Sequence, residues 1–122
     1  MKLHRFQRGA LLGAFFFAIQ SGIQAAPAPK QALDSYKSMC MGAVDMPKPF
    51  GEWDLKDNAK LAPYCECFAE KFGERAMAES EAIRKNGGKP LKRSLEESNK
   101  QELALRNACR QKTGLPAAVD PN

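Results

Sequence analysis

Three stretches of the chain set apolar residues at helical spacing, and none shows the strict alternation of a half-buried strand. Between residues 30 and 44, Leu33, Tyr36, Cys40, Ala43 and Val44 recur at i, i+3, i+7, i+10 and i+11, which is one face of a helix. A longer stripe follows through Leu61, Tyr64, Cys65, Phe68, Phe72, Ala76 and Ile83, with Glu66, Glu70 and Glu74 as an acidic row beside it. Between 94 and 113 the pattern is thinner. Leu95, Leu105, Ala108 and Cys109 read as inward-facing, and the middle of that segment is polar.

Start and stop signals bound these segments. Pro47 and Pro49 forbid a continuing first helix, so 45–62 reads as a loop, with room for one helical turn between Asp54 and Leu61. Pro63 suits the first turn of a second helix over 63–86, where its missing donor costs nothing. Asn86-Gly87-Gly88 ends that helix, because glycine tolerates the left-handed cap conformation. Ser94 with Glu97 fits a capping box for a third helix over 94–113, and Gly114 followed by Pro116 stops it. Residues 114–122 read as a loose tail. The expected fold is all-α, a small three-helix bundle.

The 45–62 loop carries Phe50 and Trp53. A small core needs apolar area, so Trp53 reads as a plug folded over the end of the bundle. The alternative is a partner-binding loop with Phe50 and Trp53 as contacts.

The first 25 residues stand apart. Lys2, Arg5 and Arg8 precede an apolar run from Ala10 to Ile19, and small and polar residues follow to Ala26. That layout predicts a secretory signal peptide over 1–25, cut after Ala25, and a single domain over 26–122. The apolar run is about half the roughly 20 residues that a spanning helix needs, so no stable membrane insertion is expected after cleavage. The expected location is periplasmic or secreted.

Cleavage changes the chemistry on offer. Of the 122 residues 97 remain, with 16 basic against 14 acidic, a net charge of +2. The basicity of the full chain therefore overstates the case for nucleic acid, and none is expected as a partner. The single histidine, His4, departs with the leader, leaving no imidazole for a triad, a general base or a metal site. No glycine-rich phosphate loop or catalytic motif is present, so no enzyme activity and no cofactor are expected.

Four cysteines remain, Cys40, Cys65, Cys67 and Cys109. In a small exported chain they are most simply two disulfides. Short connections make successive helices antiparallel, which brings the end of helix one, the start of helix two and the end of helix three to one end of the bundle. From Cys67 to Asn86 and from Ser94 to Cys109 the chain rises by roughly 28 and 22 Å, matching to about a turn. Residues two apart on a helix point about 200° apart, so Cys65 and Cys67 face different neighbours. Cys40–Cys65 with Cys67–Cys109 is preferred, because Cys40 and Cys65 both lie on apolar faces. The swapped pairing stays open.

Other constellations compete with this staple. Met39, Cys40 and Met41, with Cys65 and Cys67 and with Met46 nearby, offer soft sulfur ligands for copper or zinc. Cys65 and Cys67 could form an exchangeable pair in a thiol–disulfide protein, against which Glu66 between the thiols works. The row Glu66, Glu70 and Glu74, diluted by Lys71 and Arg75, reads as a solvated face. Residues 86–113 hold seven bases and three acids, net +4, with Lys89, Lys92, Arg93, Arg106 and Arg110 as the candidate contact surface for an acidic partner, an anionic lipid or a cell-wall polymer. Pairs such as Glu102–Arg106 would dilute that surface. No aromatic interleaves those bases, which argues against stacking on single-stranded nucleic acid.

The expected function is a small exported, non-catalytic binding protein: an inhibitor, an immunity-type protein or an accessory subunit of an envelope complex. Its expected partner is another envelope or exported protein with an acidic surface. A sulfur-ligand metal binder and a thiol–disulfide redox protein are the alternatives.

Overall fold

The computed structural model describes residues 27–118, and the expected signal peptide lies outside the described residues. Helix α1 is Lys30–Gly42, α2 is Leu61–Lys85 and α3 is Leu95–Thr113. Short 3-10 turns at Ala43–Asp45 and Trp53–Leu55 lie between α1 and α2. Among the described residues there are three α-helices and no strands, a small helical bundle as the apolar periodicity requires. No helix among the described residues is long and apolar enough to cross a membrane.

α2 is the central element, with α1 and α3 packed antiparallel against it. Cys40 near the end of α1 bridges to Cys65 near the start of α2, with Cα atoms 5.5 Å apart. Cys67 bridges to Cys109 near the end of α3, with Cα atoms 5.7 Å apart. Both pairings are the preferred ones, and both staples sit at one end of the bundle. The buried core gathers there too: Leu55, Leu61, Tyr64 and Phe68 surround the four sulfurs, and Val44, Phe72 and Leu115 pack against them. Full burial of each large apolar side chain contributes roughly 1.5–3 kcal/mol. No residue of α2 beyond Gly73 is fully buried, and the far half of that helix is half-buried along the side that meets α3 and its preceding linker.

The caps follow the sequence. Ser94 Oγ accepts from the Glu97 N–H, and Gly114 closes α3 at φ 71°, in the left-handed region that favours glycine. The Leu115 N–H then donates to the Arg110 carbonyl at 2.7 Å and turns the chain back onto the core.

Four expectations fail. The first helix stops at Gly42 rather than Val44, and a 3-10 turn carries Ala43 and Val44 onward. Leu95 is 78 % exposed, and Ala108 also faces solvent. α3 has little apolar surface to bury; Cys67–Cys109 joins it to α2, and its two buried cations pair with the loop. The segment after α3 is not loose throughout: Leu115 packs on the core and Ala118 is buried, its N–H donating to Asn107 Oδ1 at 2.7 Å. Trp53 is 57 % exposed and plugs nothing; Leu55, two residues on, fills that place at 1 % exposure. The 3-10 turn over Trp53–Leu55 separates the two side chains, because residues two apart in such a turn point to different sides.

Candidate functional site

The 45–60 loop and the end of α3 share a buried charge cluster. Glu52 is wholly buried, Arg110 is wholly buried and Arg106 is 5 % exposed. Glu52 Oε1 accepts from the Tyr64 hydroxyl at 2.7 Å and from Arg106 Nη1, while Glu52 Oε2 accepts from Arg110 Nη2 at 2.5 Å. Arg110 also grips Asp54 with both terminal nitrogens, at 2.8 and 3.0 Å, and donates to the Pro116 carbonyl at 3.1 Å. Lys48 stands 3.9 Å from Asp54, and Glu102 accepts from Arg106 at 3.3 Å, as the expected i,i+4 pair.

Aromatic rings line the cluster. The Arg106 guanidinium sits 4.6 Å from the Phe68 ring centroid, and that of Arg110 lies 5.4 Å from the Tyr64 centroid. Two carboxylates thus meet two guanidiniums in a low-dielectric pocket, where unpaired charge is expensive; the terminal nitrogens carry the pairing, and the Nε groups of Arg106 and Arg110 are buried without a partner.

The ionisation states follow from these contacts. The Arg110 hydrogen bond holds the Asp54 carboxyl below the usual carboxylate range, against the opposing effect of its burial. Burial and then the hydrogen bond to Glu52 push the Tyr64 phenol well above its ordinary value. Burial alone would lower Arg110, and its bonds to Asp54 and Glu52 outweigh it, so the group is raised and stays cationic.

Trp53 stands between Glu52 and Asp54, the two residues that Arg110 holds. Its N–H donates to the Met46 carbonyl at 3.1 Å, the Glu52 N–H donates to the Ala43 carbonyl at 2.8 Å, and the Gly51 N–H donates to the Pro47 carbonyl at 2.8 Å. The backbone of this loop is therefore fixed on both sides of Trp53, and the indole points out. Met46 is 54 % exposed, and Met39 and Met41 at the end of α1 are exposed as well. Trp53 and Met46 are thus exposed apolar residues on a loop whose backbone is hydrogen-bonded and whose neighbours Glu52 and Asp54 are held by Arg110.

The candidate residues from the sequence scatter. Arg106 and Arg110 are not part of a surface: they are buried and committed to Glu52 and Asp54. Arg93 is half-buried and donates to Glu79 on α2. Lys89 and Lys92 remain exposed and Phe50 is half-buried. The mixed ligand set Met39, Cys40, Met41, Cys65 and Cys67 is not assembled, because its three cysteines are bridged, and Cys65 and Cys67 bond to different partners rather than to each other. Glu66, Glu70 and Glu74 are exposed; Glu70 and Glu74 rim a groove of about 830 Å³ alongside Lys71 and Arg75, which balance their charge.

Glu52 is the residue that sequence reasoning missed. The available signal was the helical phase of Cys109. Arg106 and Arg110 lie about 60° and 100° from it on the same side of the helix, so an inward cysteine carries both guanidiniums toward the core. Two inward cations require buried anions, and the nearby loop supplies Glu52 and Asp54. No protein-family model, curated protein or solved structure matches the chain.

Proposed function

We propose that this domain is a small exported binding protein that works without catalysis, and that Trp53, with Met46 beside it, is its contact with a protein partner. One observation carries the reading: Trp53 is 57 % exposed although the residues on both sides of it are anchored to buried or half-buried charges. An exposed tryptophan on a mobile loop would lose conformational freedom on binding. One on a fixed backbone avoids most of that cost. Tryptophan is among the residues that dominate interface energetics, and methionine supplies adaptable apolar surface around it.

Export is supported by the basic and apolar leader and by two disulfides suited to a non-reducing environment. The envelope or the extracellular space is then where the partner resides. Its matching surface is an apolar pocket rather than an acidic face, since three of the five candidate basic residues are spent on internal ion pairs.

Site-specific photocrosslinking tests this. A photoreactive side chain at position 53 should give one defined adduct with an envelope or secreted protein, and the same group at positions 89 or 92 should give none. Adducts from 89 or 92 with none from 53 would place the contact on the basic linker instead and overturn the reading.

A further inference from the structure

α1 and α3 are attached to α2 by different physics. α1 docks through apolar contact: Tyr36 meets Phe72 edge-on with centroids 4.8 Å apart, and a Cβ placed on Gly73 would come within 3.0 Å of Leu33 Cδ2. α3 buries only Arg106, Cys109 and Arg110, that is, one bridged sulfur and two cations. Leu103 and Leu105 are half-buried, and Leu95 is exposed. Further along α3 the ties to α2 are polar: Arg75 Nη2 donates to Ser98 Oγ at 2.9 Å, and Arg93 donates to Glu79 from the preceding linker. An interface of this kind has little apolar area to hold it together.

We propose that the Cys67–Cys109 bridge is a latch that sets the Trp53 loop: by pinning α3 it holds Arg106 and Arg110 against Glu52 and Asp54, and without it α3 and the loop loosen together. The coupling is electrostatic. When α3 leaves, Glu52 keeps only the Tyr64 hydroxyl among its side-chain partners. A buried carboxylate with a single neutral donor moves to water, and it carries Trp53 and Asp54 with it. The α1–α2 pair remains, held by its own packing and by Cys40–Cys65.

The indole is therefore presented on a fixed backbone only after Cys67–Cys109 has closed. Closure removes two electrons and two protons from the Cys67 and Cys109 thiols. A disulfide oxidant accepts them and becomes a dithiol. Before closure the rigid contact surface is lacking, so, on the reading of Trp53 as the partner contact, binding competence follows oxidation.

The test compares the full chain carrying Cys67→Ser and Cys109→Ser with one carrying Cys40→Ser and Cys65→Ser, by amide hydrogen exchange and by the fluorescence anisotropy of the single tryptophan. No partner is needed. In the first variant, amides of α3 and of residues 46–56 should exchange about a hundredfold faster and in step, with α1 and the first half of α2 still protected and the anisotropy reduced. In the second, α3 should keep its protection. A third chain, Arg106→Gln with Arg110→Gln and both bridges intact, leaves Glu52 without a cation and should free the loop while α3 stays docked. The proposal is overturned if α3 stays protected in the first variant, or if the loop stays protected when α3 does not. It is equally overturned if all three helices open together, or if the Arg106→Gln, Arg110→Gln chain keeps the loop as in the parent.

Discussion

Arg110 Nη2 lies 2.5 Å from Glu52 Oε2, and neither side chain reaches solvent. The two residues are 58 apart in sequence, so this contact closes the chain from the loop onto the last helix. Breaking one side of such a pair is costly, because the charge left behind is buried and uncompensated. Glu52→Gln keeps the shape and removes the charge. It should destabilise the fold by roughly 3–5 kcal/mol, read from urea unfolding. Glu102→Gln, which touches the same Arg106 from the rim, should cost less than about 1 kcal/mol. Equal effects from the two variants would show that burial of the cluster is not what matters.

Stability should depend on pH at both ends of the scale, with opposite signs. Asp54 has a lowered carboxyl pKa in the folded state, chiefly through its hydrogen bond from Arg110. Its contribution is present above the unfolded carboxylate value, about 4, and is lost as pH falls through the lower folded value. Tyr64 is raised, chiefly by burial. Its contribution is present below the unfolded phenol value, about 10, and is lost as pH rises toward the higher folded value. Urea midpoints measured across pH should therefore decline in acid less steeply for Asp54→Asn, and in alkali less steeply for Tyr64→Phe. Profiles running parallel to the parent in both variants would contradict the assignment.

The helices and their ends were legible because local rules decide them. The 3.6-residue stripe, Pro63 in a first turn, Ser94 as a cap and Gly114 in a left-handed stop each depend only on near neighbours in sequence. The cysteine pairing was legible because antiparallel helices bring all four sulfurs to one end. The charged site was not, because it joins residue 52 to residues 106 and 110, and no local pattern marks such a contact. Counting bases along 86–113 treated Arg106 and Arg110 as surface, although they flank an inward cysteine. Trp53 failed for the opposite reason. Size argued for burial, but Leu55 already occupied the apolar niche and both neighbours of Trp53 were anchored inward.

Trp53 and Leu55 provide a paired test of that correction. Trp53→Ala should change stability by no more than about 0.5 kcal/mol, since the indole is 57 % exposed and surface substitutions fall in that range. Leu55→Ala should cost roughly 2–5 kcal/mol, because Leu55 is 1 % exposed within the core. Denaturant midpoints settle both. A large loss from Trp53→Ala with a small one from Leu55→Ala would restore the tryptophan to the role of a plug.

Two glycines near the loop should respond to alanine in opposite directions. Gly42 ends α1 with helical backbone angles, and a Cβ built there meets nothing within 4 Å. Alanine fits that conformation and narrows the unfolded ensemble, so Gly42→Ala should raise stability by about 0.5–1 kcal/mol. Gly51 is buried where the loop folds back on itself, and a Cβ there would overlap the Met46 carbonyl. That carbonyl accepts the Trp53 N–H, so it cannot yield without releasing the bond that fixes the tryptophan. Gly51→Ala should therefore cost roughly 1–3 kcal/mol, as for overpacking at a rigid site. It should also increase the mobility of Trp53, lowering its fluorescence anisotropy. If Gly51→Ala lowers stability while the anisotropy stays at the parent value, the strain is absorbed elsewhere and the Met46–Trp53 contact is not what holds the indole in place.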